Sequence, residues 1–322
     1  MQRVSTGTDL HAEWTAAYCR AFRQHGVHAV LAEYGPTATQ VHDACLRLGL
    51  PLTVHFHGYD AAEHATLTSY AAGYRQLFAR RARIVVVSRA MKRALVDLGA
   101  PPETVFHNPY GVDCSHFQAA EPESNPPLLL SVGRLVEKKA PHLTLEAFAK
   151  AAQSEPLARL RMVGTGPLAQ RCQELASKLG IDGRVEFAGA LQPETVPGEM
   201  RRARAFVQHS VTASTGDAEG SPVSITEAAA SGLPVVSTRH AGISDLVLDA
   251  VSGFLVEEGD VDGMATYMRM LLQDCHLAGK MGRAGRDHIV ANFDLPKRIA
   301  ALRDIVTAPL GTDDTLVAAR NT

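Results

Sequence analysis

From Leu128 onward, short apolar runs and helical stretches alternate without a break, and that rhythm leaves few folds open. LLLSVG precedes APHLTLEAFAKAAQ, whose apolar residues recur at helical spacing. RLRMVG is followed by PLAQRCQELASKLG, RVEFAG by a helix near TVPGEMRRA, and AFVQHS by VSITEAAASG. PVVST leads into a short helix ISDLVLD, and GFLV into VDGMATYMRMLLQD. Strand-like runs joined to helices by Gly-rich turns specify parallel strands covered by helices on both faces. The first part of the chain repeats the style less completely. HAVLAEYG, PLTVHFHG and RIVVVS read as strands; TATQVHDACLRLGL and RAMKRALVDLG read as helices.

Between the halves, QAAEPESNPP carries prolines and acids without an aromatic residue, a linker composition. The expected boundary lies near Ala120 to Pro127, with an N-terminal domain over 1–122 and a C-terminal domain over 123–306. The last helix of the latter is expected to return toward the N-terminal domain. The tail TAPLGTDDTLVAARNT, from residue 307, has no periodic apolar face and is expected to fray.

Length and composition narrow the function classes. The chain has 322 residues, enough for two cores, with 46% hydrophobic residues and a net charge of −2. That balance fits neither a disordered segment nor a nucleic-acid binder. Five scattered cysteines without a CxxC pair point to free thiols in a reducing compartment. No signal-like leader and no run of about 18 apolar residues is present. A soluble, cytoplasmic protein is therefore expected.

In open parallel sheets, ligands bind beyond the carboxyl ends of the strands, so the loops there are the place to look for chemistry. SVGRLVEKK sets Gly133, Arg134 and Lys139 at such a loop. Two permanent cations beside a glycine suit a diphosphate, although solvated surface charges look the same. GTGPLA, with Gly164 and Gly166, also reads as the weak GxGxxA phosphate fingerprint of dinucleotide enzymes, with Glu186 following 22 residues after Gly164. RVEFAG runs into Ala190 and Leu191, whose rim backbone is able to hydrogen-bond a base edge, although the sequence alone hardly supports this. In TGDAEGSPVSITEAAASG, Glu219 sits in a small-residue loop and Glu227 lies eight residues on, inside a helix. Between them Gly220, Ser221 and Pro222 lead into the helix and place its unpaired backbone amides at the start, where the dipole favours anions. An acid among small apolar residues is costly to bury without a partner, which favours a functional Glu227 over a bystander.

These residues, in this order and spacing, resemble retaining glycosyltransferase family 4 from Leu128 to about Asn292. The matching pieces are SVGRLVEKK, VGTGPLAQRCQELASKLGIDGRVEFAGAL, the pair Glu219 and Glu227, and ASGLPVVSTRHAGISDLV followed by GFLVEEGD. SVTASTGDAEGSP is most similar to enzymes building bacterial exopolysaccharide, including colanic-acid-type transferases. The resemblance implies a GT-B fold: two Rossmann-like parallel-sheet domains facing a cleft. It implies that Arg134 and Lys139 hold the donor pyrophosphate and that Glu219 contacts the transferred sugar, helped by amides near Ser221, Pro222 and Val223. It gives Glu227 the ribose and puts Gly164 on the nucleotide side. The co-substrate would be a nucleotide sugar such as a UDP- or GDP-sugar, the acceptor a glycan or lipid-linked glycan, and no metal or other cofactor would be needed.

The N-terminal half matches more loosely. HFHGYD resembles the family's FHG segment, which would make His57 the active-site histidine. His55, two residues earlier on the same strand face, suggests a metal pair, but no carboxylate or third histidine completes one at recognisable spacing, so no metal is expected. Only about 27 residues precede HAVLAEYG, where the family usually has a strand, a Gly-rich loop and further elements. The N-terminal domain is accordingly expected to be shortened. Arg75, Arg80, Arg81, Arg83, Arg89, Lys92 and Arg93 form an acid-free basic stretch suited either to solvation or to peripheral contact with anionic lipid at the inner membrane face. Two other functions stay open: a non-catalytic nucleotide-sugar binder or partner protein, and a nucleotide-sugar epimerase.

Overall fold

The structure, a computed structural model, describes residues 7–308, with side chains from Leu10 onward. Ten strands are described. β1 (Val30–Glu33), β2 (Leu52–Phe56), β3 (Arg83–Val86) and β4 (Val105–His107) form one parallel sheet in chain order. β5 (Leu128–Val132), β6 (Arg159–Val163), β7 (Val185–Gly189), β8 (Ala205–Val207), β9 (Val235–Thr238) and β10 (Gly253–Val256) form a second, all-parallel sheet in the order β10-β9-β8-β5-β6-β7.

Each sheet belongs to its own compact unit. One comprises residues 1–108 and 299–322, the other 109–298. The division therefore falls at Asn108/Pro109, ahead of the expected linker. Gln118–Pro127 is polar but not free: Ala120 donates to Ser231 O at 2.7 Å, and the Asn125 amide donates to Arg201 O and Ala203 O at 2.8 and 2.7 Å. Phe117 is buried in the second unit's core. Backbone hydrogen bonding, which composition does not report, assigns this stretch to the second unit. The last helix, Leu295–Thr307, rejoins the first unit from Ile299, where Arg83 donates to Val306 O at 3.2 Å and Ala308 O at 2.6 Å. The expected frayed tail lies, from residue 309, outside the described residues.

The central strands of the six-stranded sheet are buried on both faces, while charged Arg159, Arg161 and Glu186 fall on β6 and the edge strand β7. Neighbours along β5 point opposite ways, as pleating demands. Leu129 joins Leu145, Phe148, Leu160 and Met268 on one face, while Leu130 joins Phe206, Ile225, Val235 and Ile289 on the other. In the first unit β2 is wholly buried, and Phe56, Leu77, Ile84 and Leu95 are its largest enclosed side chains. Sequence periodicity missed the long helices Gly7–Gln24, His64–Ala79 and Cys275–Asn292, the short helix Tyr59–Ala62 and strand β4.

Strand order decides where a ligand sits. β6 and β7 lie to one side of β5, and β8, β9 and β10 to the other. Successive crossovers reverse between β5 and β8, so the loops leaving these two strands diverge at the topological switch point and open a crevice.

Candidate functional site

Lys139 and Glu219 occupy those two loops. After β5 the chain makes a short turn over Glu137–Lys139 and enters the helix Pro141–Ala151 through Ala140, a fully buried alanine with φ 34°. A non-glycine residue in this left-handed region costs of order 1 kcal/mol, and such strain concentrates at functional turns. Lys139 Nζ lies 2.8 Å from Glu219 Oε1, an ion pair outside hydrogen-bond alignment, and 3.4 Å from Gln208 Oε1. Glu219 is 8% exposed. A carboxylate this buried needs its cation, since desolvation would otherwise disfavour the charge.

The Glu219 loop is tied to the β5 loop along its length. Val211 N donates to Lys138 O at 2.9 Å, Ser214 N and Oγ donate to the Glu137 carboxylate at 2.7 and 3.0 Å, and Lys138 Nζ pairs with Asp217 at 3.0 Å. Beyond Glu219, Gly220, Ser221 and Pro222 are buried, and the helix Val223–Ala230 begins with no side chain capping it. Ile225 N and Thr226 N donate to Pro222 O at 3.0 and 3.3 Å, which leaves, among the described residues, the amides of Val223 and Ser224 at the end of the dipole that attracts anions. Ser221 Oγ, also buried, has no hydrogen-bond partner among the described residues. Val223 is exposed.

Glu227 is half-buried on that helix, and burial alone raises its carboxyl to about 7. No ion pair or side-chain hydrogen bond satisfies it among the described residues. Arg134 is exposed and likewise unpaired among them. One cation is thus held by the protein and one stands open to solvent.

The glycine turn after β6 has a packing role. A Cβ on Gly164 would sit 2.0 Å from Gly133 O, and one on Gly166 2.4 Å from Leu135 O. Gly133 N donates to Val163 O at 2.9 Å, Leu135 N to Thr165 O at 2.9 Å and Gly164 N to Gly189 O at 2.7 Å, lacing the ends of β5, β6 and β7 together. The dinucleotide alternative loses its acid: Glu186 lies within β7, register partner of Arg161, and forms an ion pair with it. Leu191 packs against the core and lines a depression of about 450 Å³ with Glu194, Arg201 and Arg202, apart from Lys139 and Glu219.

Sequence reasoning missed Gln208, Lys138, Asp217, His240 and Glu258. Gln208 is buried; it accepts from Ser224 Oγ at 3.3 Å and donates to Ser210 Oγ at 2.8 Å. All five lie on loops at the carboxyl rim, so the rim rule itself was the available signal. His209, beside them, is structural: burial lowers it to about 4, and its Nε2 accepts from Gly259 N at 2.8 Å.

In the N-terminal unit, His57 Nε2 lies 2.5 Å and His55 Nδ1 3.2 Å from Glu33 Oε2. Glu33 is the register partner of His55 on the neighbouring strand. This corrects the sequence argument against a metal pair, which rested on the lack of a nearby carboxylate: parallel pairing brings one in from 22 residues before His55. The three donor atoms lie within 4.8 Å of one another, close enough to ligate one cation. Burial, and next the charge of His57, lowers His55 to about 4. Asp60 is fully buried and accepts from the amides of Gly35, His57 and Gly58 at 2.9–3.0 Å, fixing the turn that presents His57. In the basic stretch, Arg81 pairs with Glu103 at 2.8 Å, and Arg83 is bound to the last helix, so neither is a free surface cation.

Comparison with known proteins bears on this geometry. The model of the group 1 glycosyl transferases matches residues 115–288, and that of the glycosyl transferase 4-like domain residues 3–111. The chain belongs to the group 1 glycosyl transferases. The colanic acid biosynthesis glycosyltransferase WcaL of Salmonella typhimurium is 33% identical over 79% of this chain and 64% of its own length. The amylovoran biosynthesis glycosyltransferase AmsK of Erwinia amylovora is 31% identical over 74% and 59%. The chain thus spans about three-fifths of the length of these curated relatives. Among solved structures, HepE of Anabaena in complex with UDP superposes with a TM-score of 0.78 at 19% identity, covering 92% of this chain and 82% of that one. A glycosyltransferase of Rickettsia africae gives 0.77 at 17%, covering 96% and 84%. The fold is that of the GT-B transferases. Among the described residues, no helix is long and apolar enough to cross a membrane.

Proposed function

We propose that this chain moves a sugar, with retention of anomeric configuration, from a nucleoside-diphosphate sugar to a hydroxyl of a glycan or lipid-linked glycan in bacterial surface polysaccharide synthesis. The observation that carries the reading is the pairing of Lys139 with buried Glu219 at 2.8 Å across the switch point, beside an uncapped helix start. A diphosphate leaving from the anomeric carbon gains negative charge, which Lys139, Arg134 and the amides of Val223 and Ser224 at the helix start stabilise. Fixed cations do there what a divalent metal does elsewhere, so transfer needs no added Mg²⁺. Glu219 accepts from sugar hydroxyls, and Glu227, which has no side-chain partner among the described residues, accepts from a ribose. His57 acts on the reacting sugar. The names of WcaL and AmsK support the polysaccharide setting, and the UDP complex of HepE supports a nucleotide-bound donor.

A thermal-shift panel of UDP- and GDP-sugars tests the donor, because a ligand that binds only the folded state raises the melting temperature. Release of nucleoside diphosphate in the presence of an acceptor then separates transfer from mere binding, and an isomerised nucleotide sugar identifies an epimerase. No shift with any conjugate overturns the reading.

A further inference from the structure

Glu219 is held at two points. Its carboxylate meets Lys139; its backbone N–H donates to His240 Nε2 at 3.1 Å. A ring nitrogen that accepts an N–H carries no proton, so the proton of neutral His240 sits on Nδ1. That nitrogen lies 2.5 Å from Glu258 Oε1. The other oxygen of Glu258 accepts from Thr212 N at 2.9 Å. Burial would raise the Glu258 carboxyl, but the bonds from Thr212 and His240 outweigh it and hold it below the ordinary carboxylate range.

These contacts join three adjacent strand ends. Thr212 lies on the loop leaving β8, His240 follows β9 and Glu258 follows β10. His240 is 2% exposed and sits directly beneath the loop where Glu219 turns into Gly220 and Ser221. The remaining ties on that loop, through Glu137 and Lys138, act at residues 211–218. At residue 219 the hold consists, among the described residues, of Lys139 on the side chain and His240 on the backbone. Losing the second would let the amide turn away and carry the carboxylate out of register with a bound sugar.

We infer that His240 and Glu258 form a positioning pair that fixes the backbone of Glu219, and thereby sets recognition of the sugar end of the donor but not of its nucleotide. This rests on the donor reading above. His240 touches neither sugar nor diphosphate; it sets the acceptor that the Glu219 amide needs, and Glu258 sets the tautomer that makes His240 an acceptor.

The test compares affinities of UDP, GDP and their glucose and mannose conjugates for the full chain and its variants by calorimetry. His240→Phe keeps a flat ring but removes the acceptor. It should lose about 10- to 100-fold in affinity for the preferred conjugate, the range for a buried amide stripped of its partner, while affinity for the bare nucleoside diphosphate stays within about twofold. His240→Gln restores an acceptor oxygen and should recover most of the loss; Glu258→Ala should lose in the same direction but less. Should His240→Phe fail to unfold cooperatively, the comparison of His240→Gln with Glu258→Ala carries the same decision. Equal losses for conjugate and bare nucleotide, or none for either, overturn the positioning role. A wild-type chain that binds bare nucleotide but prefers no conjugate overturns the donor reading itself, and this role with it.

Discussion

Lys139 and Arg134 are both cations at the β5 loop, yet they should behave differently when removed. Lys139 neutralises a carboxylate that is only 8% exposed, so Lys139→Met strands a buried charge. It should destabilise the fold by about 2 kcal/mol or more, and adding Glu219→Gln should recover part of that loss, since uncharged partners no longer need each other. Urea denaturation of the two single variants and the double variant measures the coupling. Arg134 has no partner to lose among the described residues. Arg134→Ala should leave stability within about 0.5 kcal/mol but weaken nucleoside-diphosphate binding, read by calorimetry. Glu227 supplies a pH signature. Its folded-state value of about 7 exceeds its ordinary 4.5, so the folded state binds the extra proton between those values. Stability therefore falls as pH rises through that window, the reverse of a salt-bridged acid. Glu227→Gln should raise the melting temperature at pH 8 and leave it nearly unchanged at pH 4. A flat wild-type profile would refute the burial argument.

At the scale of elements, the turn after β6 illustrates how one sequence pattern serves two physical ends. GTGPLA has the look of a phosphate loop, but its glycines are required because the backbone of Gly133–Leu135 passes too close for any side chain. Gly164→Ala, with its Cβ 2.0 Å from Gly133 O and φ at 132°, should cost about 1–3 kcal/mol and disturb the approach to Lys139, detectable by denaturation and by nucleotide affinity together. The helix Val223–Ala230 is similarly double in character: Ile225, Ala228 and Ala229 anchor it in the core, and its start carries no side-chain cap, as the proposed diphosphate contact requires.

At the scale of the molecule, the second unit has a core on each face of its own sheet, and its ends are stitched by a bridge between Val112 and Asp294. It should fold when expressed as residues 109–298 and retain a thermal shift with nucleoside diphosphate. Failure of that fragment to unfold cooperatively would show that its core depends on the first unit.

The alternation of apolar runs and helices, written plainly from Leu128 on, determined the layered parallel architecture, because strand and helix periods are local properties of the chain. The same locality let the rim loops, and with them Arg134, Lys139, Glu219 and Glu227, be named in advance. What only the tertiary structure decided is which of these meet. Lys139 and Glu219 are 80 residues apart in the chain and touch because strand order reverses at β5 and β8. Glu33 joins His55 and His57, and Glu258 joins His240, through parallel pairing of separate strands. The domain boundary escaped for a related reason: a proline- and acid-rich stretch reads as a linker until its backbone partners, distant in the chain, are known. Register and strand order are long-range facts, and no window of neighbouring residues contains them.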